Sequence, residues 1–111
     1  MKREDVIAEI EKTFATCNSV FATKGQEYAN DDSDQLANFK RIANNLGVDP
    51  YVPLMTYMTK HWDSINNFVN CAVNKKEYTS SEPIEGRVDD LILYGILLKC
   101  LITENKNDYQ I

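Results

Sequence analysis

Apolar residues recur every three or four positions in four separate stretches of the chain, and this spacing predicts four α-helices. The stretches are residues 3–23, 34–46, 53–73 and 82–102. No run of alternating β-branched residues indicates a strand. We therefore expect an all-α protein, a compact bundle of about four helices that forms one domain over residues 1–111.

Turn-forming residues separate these stretches. Lys24 and Gly25 suit the end of the first helix, so the sequence "KGQEYAN" at residues 24–30 is expected to be a polar loop. Gly47 is placed to close the second helix. The two prolines of "VDPYVP" indicate a turn before the third helix, because proline is disfavoured inside helices.

The fourth stretch, "EPIEGRVDDLILYGILLKCLI", is apolar around most of its circumference after Asp90. A helix of this kind either lies at the centre of its domain or is buried in a subunit interface. On this ground we expect the protein to be a homo-oligomer.

The net charge and the cysteine content argue against a nucleic acid partner and against a zinc site. The net charge is −5 and the acidic excess is spread along the chain. Because no basic stripe is available to follow phosphates, we expect no polymeric nucleic acid partner, although a small nucleotide needs only a few donors. The three cysteines, Cys17, Cys71 and Cys100, form no CxxC or Cys/His cluster, which argues against zinc and for reduced thiols.

The sequence shows no apolar segment typical of a signal peptide and no apolar run long enough to span a bilayer. We therefore expect a cytoplasmic protein without a membrane partner.

His61 is the single histidine, and it falls on the apolar stripe of the third helix. One interpretation is a core histidine whose nitrogen atoms are satisfied by a neighbour. The other is a ligand-facing donor beside Lys60 and Ser64. Asp63 lies on the wrong face of the same helix to serve as its partner.

Four carboxylates mark the start of the fourth helix. Glu82 and Glu85 lie at its first turn, where the helix dipole favours negative charge. Asp89 and Asp90 lie further in, where the dipole no longer accounts for them. Asp90 shares a helix face with Arg87, so the two residues are candidates for an ion pair. Alternatively, Glu85 and Asp89 are one turn apart and offer two oxygen atoms to Mg²⁺.

The segment "KGQEYAN" combines groups that are able to hold a nucleotide. Lys24 is suited to a phosphate, Tyr28 to stacking on a base, and Glu27 supplies a carboxylate. The alternative is an ordinary helix-ending loop in which Tyr28 packs against the core.

Three motifs together resemble a known family. "KGQEYA", "MTKHWDSINNF" and "EPIEGRVDDLILYGILL" are similar, in the same order, to motifs of the nucleotide-modification-associated helical domain found in many phage proteins. The residues that match are Glu27, Tyr28, Glu82, Glu85, Asp90 and Tyr94. The resemblance implies a phage or prophage protein linked to nucleotide metabolism, acting in the host cytoplasm.

The last motif also resembles part of the MazG-type nucleoside triphosphate pyrophosphohydrolases, all-α enzymes that hold Mg²⁺ with carboxylates. Here Gly86 and Arg87 stand three residues before Asp89 and Asp90, and no E-E-x-x-E motif occurs in the first helix. Since a catalytic magnesium ion needs several oxygen ligands, the resemblance implies a nucleotide pocket with an incomplete metal site.

We therefore expect a protein that binds a nucleotide or nucleotide-derived signal without turnover and without a cofactor, for example by sequestering a host defence messenger. The predicted ligand contacts are Lys24, Glu27, Tyr28, Lys60, His61, Ser64, Arg87, Asp90 and Tyr94. One alternative is a Mg²⁺-dependent nucleoside phosphate hydrolase whose metal ligands are Glu82, Glu85, Asp89 and Asp90, joined by Glu27. A second alternative is a protein–protein interaction module that docks through the fourth helix.

Overall fold

Four α-helices make up most of the chain in the computed structural model, which describes residues 1–29 and 34–106, with side chains for 1–24 and 34–106. The helices are α1 (Arg3–Ala29), α2 (Ala37–Leu46), α3 (Tyr51–Val73) and α4 (Ile84–Glu104). The described residues contain no strand. The predicted all-α class with four helices is therefore confirmed.

The α4 helix packs extensively against α3 and also against α1, while α2 packs against both α3 and α1. Among the residues of α4, Leu101 is buried, whereas Val88 and Ile92 are exposed at 40% and 36%. The packing therefore covers only part of the apolar circumference of α4, and the expected subunit interface on this helix stays a prediction. Within the described ranges, no helix is long and apolar enough to cross a membrane.

The core lies where α2, α3 and α4 meet. Its buried cluster is formed by Leu36, Phe39, Leu54 and Leu101. Leu54 and Leu101 are fully buried, and burying a leucine side chain of this kind contributes about 1.5–3 kcal/mol. The cluster fixes the helices at one end of the cavity described below.

The predicted end of α2 at Gly47 is confirmed, whereas the predicted start of α3 is two residues too late. Gly47 has a left-handed φ of 69°, and backbone N–H groups there and at Val48 donate to the last carbonyls of α2. The α3 helix begins at Tyr51, two residues before the predicted start at Pro53. Proline is tolerated there because a first-turn N–H has no partner within the helix.

The predicted end of α1 at Gly25 is wrong, because α1 continues to Ala29. Glycine inside a helix costs only about 1 kcal/mol relative to alanine, and the flanking residues are good helix formers. Lys24 is thus a helical residue rather than a loop residue. Glu27 and Tyr28 belong to the last turn of α1, and their side chains lie outside the described residues.

Lys40 of α2 joins the start of its own helix to the end of α4. Its ammonium group donates to Asp34 Oδ2 at 2.7 Å and also forms an ion pair with Glu104. The hydrogen bonds to Asp34 and then Glu104 raise the pKa of Lys40 above its ordinary value. This clamp holds the C-terminal end of α4 against α2.

Candidate functional site

A cavity of about 310 Å³ opens between the four helices, bounded at one end by the core. Helix α1 contributes Val20, Phe21 and Lys24, and the segment containing α2 contributes Gln35, Asn38 and Phe39. Residues of α3 and of the segment containing α4 form the remaining walls. The volume lies near the lower end of the roughly 300–1,000 Å³ that small-molecule sites occupy.

Aromatic rings form one wall of this cavity. Tyr57 of α3 and Tyr94 of α4 are stacked, with centroids 5.9 Å apart and an interplanar angle of 5°. The imidazole of His61 lies 5.3 Å from the ring of Tyr94. Phe39 meets both tyrosine rings edge-on, at 6.0 and 6.3 Å. Because these contacts come from three helices, they hold the wall in one arrangement.

Charged side chains of both signs also line the cavity. Lys24, Lys60 and Arg87 are cations, and Glu82 and Asp90 are carboxylates. Arg87 forms an ion pair with Glu82, with Nη2 and Oε2 3.5 Å apart. Three cations against two carboxylates leave the lining with one net positive charge, in a chain whose net charge is −5, and this local excess suits an anionic group.

His61 is nine-tenths buried, at 8% exposure, and its Nδ1 lies 3.8 Å from Asp90 Oδ2. That separation is too long for a hydrogen bond, and Nδ1 has no hydrogen-bond partner among the described residues. Burial is the main cause that lowers the pKa of His61. Asp90 opposes it, and the nearby Arg87 and Lys60 add to the lowering. Burial thus favours the neutral form of the imidazole.

These contacts bear on two sequence-based interpretations. His61 is a buried residue of the core face of α3, as one of them predicted, but its Nδ1 has no hydrogen-bond partner in the described part of the chain. The expected Asp90–Arg87 pair is replaced by two others: Arg87 pairs with Glu82, and Asp90 faces His61. Spacing along α4 brought Asp90 and Arg87 to one face, but the neighbouring segments supplied closer partners.

A second buried nitrogen atom at the site, on Arg87, also lacks a hydrogen-bond partner. Arg87 Nε is buried and makes no hydrogen bond to any described residue. Leaving a buried polar group unsatisfied costs about 1–3 kcal/mol, and more where the group is charged. A ligand that brings a hydrogen-bond acceptor to Arg87 Nε and a polar atom to His61 Nδ1 would therefore satisfy both groups.

The cavity brings together most of the residues predicted from the sequence. The predicted contacts that line it are Lys24, Lys60, His61, Arg87, Asp90 and Tyr94. Ser64 is not among the lining residues, and its hydroxyl group donates to the carbonyl of Lys60 at 3.3 Å. Glu27 and Tyr28 have side chains outside the described residues.

Two of the four carboxylates of the fourth helical segment that were predicted to bind Mg²⁺ line the cavity, and two do not. Glu82 and Asp90 line the cavity, whereas Glu85 and Asp89 do not. The backbone carbonyl of Asp89 accepts a hydrogen bond from the buried Cys17 thiol at 3.8 Å, and this bond joins α1 to α4. Burial raises the pKa of the Cys17 thiol. Among the described side chains, those of residues 1–24 and 34–106, no three His, Cys, Asp or Glu residues are grouped so that they could hold a metal ion.

Sequence reasoning missed two of the aromatic residues in the wall. Phe39 belongs to the apolar pattern of α2, and nothing in its local sequence shows that α2 lies near Tyr94 of α4. Tyr57 precedes His61 by four residues, so helical spacing places both on one face. That spacing is the signal that could have found Tyr57.

Comparisons of this chain with protein-family models, with curated proteins and with solved structures gave no match.

Proposed function

We propose that this protein binds a nucleotide or a nucleotide-derived signal in the cavity between its helices and holds it without turnover. The observation that carries the proposal is the meeting of an aromatic wall and three cations in one cavity. A nucleotide presents both complementary parts, a flat base and an anionic phosphate.

Each wall has a distinct role in this proposal. The rings of Tyr57 and Tyr94 offer an apolar surface against which a base packs. Lys24, Lys60 and Arg87 attract the phosphate, and the unpaired Nε of Arg87 is a donor suited to a phosphate oxygen. Asp90 accepts from ribose hydroxyl or base amino groups. The cavity volume fits one nucleoside phosphate unit better than a larger ligand.

Binding without hydrolysis is favoured over the magnesium-dependent reaction. Such a reaction needs several hard oxygen ligands to fix the ion and a water molecule. The described carboxylates of the cavity, Glu82 and Asp90, are instead directed to Arg87 and His61. The phage-family resemblance adds the biological setting, in which the protein sequesters a host defence messenger in the cytoplasm.

Native mass spectrometry provides the first test. The protein is purified from cells that make nucleotide messengers, and its mass is measured before and after mild denaturation. A retained molecule that is released intact with the mass of a nucleotide supports binding without turnover. Release of a hydrolysis product supports the enzyme alternative, and an empty protein contradicts tight sequestration.

Calorimetric titration with nucleoside mono-, di- and triphosphates then tests the site itself. Arg87→Ala should weaken phosphate-dependent binding by about 10- to 100-fold, since a hydrogen bond to a charged group contributes about 1.5–3 kcal/mol. Lys99→Ala removes an exposed cation of α4 that does not line the cavity, and serves as the matched control. Equal affinity in both variants would exclude Arg87 from the binding site.

A further inference from the structure

Helix α3 carries a second apolar stripe that its own fold leaves exposed. The core-facing side of α3 contains Leu54 and His61, both buried. On another side, Val52, Met55 and Trp62 have exposed fractions of 48%, 47% and 53%. Val69 and Val73 continue the same side at 45% and 73%.

The exposed stripe has the spacing of a coiled-coil seam. Its positions alternate by three and four residues over the length of α3: Val52, Met55, Thr59, Trp62, Asn66, Val69 and Val73. All seven are exposed and none is charged, although 26% of the chain is charged. A 3–4 alternation over three heptads keeps one seam facing a partner helix, whereas a solvent-facing side would carry charges. We call these seven residues the α3 seam.

The area of the α3 seam is suited to a stable interface. Its five apolar side chains expose on the order of 500 Å², which is at the upper end for the largest patch of a monomer. With Thr59, Asn66 and the flanking residues, it approaches the roughly 800 Å² per partner of a standard interface.

We propose that the α3 seam pairs with the α3 seam of a second copy of this chain, in antiparallel orientation. The flanks of the seam decide the orientation. One flank is polar, with Thr56, Asp63 and Asn70, and the other is apolar, with Met58, Ile65 and Ala72. Antiparallel helices bring like flanks together, so polar residues meet polar residues. Parallel helices would place each polar flank against an apolar one.

The antiparallel register also matches side-chain size. Aligning the two seams places Trp62 of one copy beside Thr59 of the other, so that the largest seam residue meets a small one. Val52 then lies beside Val69.

The proposed interface lies on α3, whereas the sequence pattern indicated α4. The proposal depends on the fold alone and is independent of nucleotide binding. The first test is the mass of the full chain in solution, measured by sedimentation equilibrium over a range of concentrations. We expect a dimer for the wild type, and a monomer for the Trp62→Glu variant because a charge in the seam cannot be buried unpaired.

Phe14→Glu is the matched control for this test. Phe14 is an exposed aromatic residue of α1, and its exposure of 52% nearly equals that of Trp62. The proposal requires Phe14→Glu to remain dimeric and both variants to keep the wild-type helical circular dichroism. A monomeric wild type, or a Trp62→Glu variant that is still dimeric, overturns it. Dissociation by Phe14→Glu alone places the interface on α1 and also overturns it.

A distance between spin labels tests the orientation. A nitroxide is attached at Ala72→Cys after the native cysteines have been replaced by alanine. The antiparallel register that places Trp62 beside Thr59 has its two-fold axis between residues 60 and 61. It separates the two labelled backbones by about 35 Å at 1.5 Å rise per residue, whereas parallel pairing brings them to about 10 Å. A short distance overturns the antiparallel arrangement.

Discussion

His61 of α3 and Asp90 of α4 face each other across the cavity, with Nδ1 and Oδ2 3.8 Å apart. The two residues are far apart in the sequence, and the close packing of α3 on α4 brings them together. The gap is slightly longer than a hydrogen bond, so neither group fully satisfies the other. A small movement on ligand binding would allow the imidazole to bond either to Asp90 or to the ligand.

The stability of the protein should depend on pH through His61. Burial lowers the pKa of His61 in the folded state, while the unfolded chain binds a proton at the ordinary value of 6.5. Between these two pKa values the unfolded chain binds more protons at His61 than the folded protein does, so lowering the pH favours unfolding. The free energy of unfolding is therefore unaffected by His61 above about pH 6.5 and decreases as the pH falls through the lowered pKa of the folded state.

Urea unfolding at pH 7.5 and pH 5.0 measures this effect. The wild type should lose more free energy of unfolding between these two pH values than His61→Gln, which keeps a polar side chain but cannot titrate. The variant is expected to be less stable at pH 7.5, so the comparison uses the pH-dependent difference alone. Identical pH dependence in the two proteins would contradict the assignment.

Replacement of Tyr94 should weaken nucleotide binding through the loss of its ring. Stacking of a base on an aromatic side chain contributes about 1–3 kcal/mol, so Tyr94→Leu should raise the dissociation constant by about 5- to 150-fold. Tyr94→Phe keeps the ring that stacks on Tyr57 and should retain most of the affinity. Calorimetric titration compares the variants. If Tyr94→Phe loses as much affinity as Tyr94→Leu, the ring is not the source of binding.

The core should be sensitive to Leu54, which is fully buried between α2 and α4. Leu54→Ala should lower the free energy of unfolding by about 2–5 kcal/mol, through lost transfer energy and the cavity that it leaves. Leu46→Ala is the control, because Leu46 is 67% exposed and its truncation should change stability by no more than about 0.5 kcal/mol. Chemical denaturation measures both.

The Lys40 clamp should make a small and salt-dependent contribution. Its partners Asp34 and Glu104 are both partly exposed, and ion pairs of this kind contribute about 0.2–1 kcal/mol. A double-mutant cycle of Lys40→Met and Glu104→Gln should give a coupling energy in that range at low salt. The coupling should fall toward zero in 1 M salt, where the Debye length is only about 3 Å. Coupling that is unchanged by salt would contradict an electrostatic origin.

Local periodicity determined much of what could be predicted about the fold. The four helices, the closure of α2 at Gly47 and the core face of α3 all depend on residues a few positions apart. Helical geometry fixes such relationships, so the sequence is sufficient. The predicted end of α1 at Gly25 is wrong because one helical glycine costs little free energy compared with ending the helix one turn early.

The pairings inside the cavity were decided by the tertiary structure. Helical spacing gave Asp90 and Arg87 a common face, but the crossing of α3 over α4 turned Asp90 toward His61. The position of α2 brought Phe39 into the aromatic wall. The sequence therefore determined the helices and most of the chemical groups of the site. Only the packing of the helices decided which groups meet, because contacts between helices depend on crossing angles that no local pattern encodes.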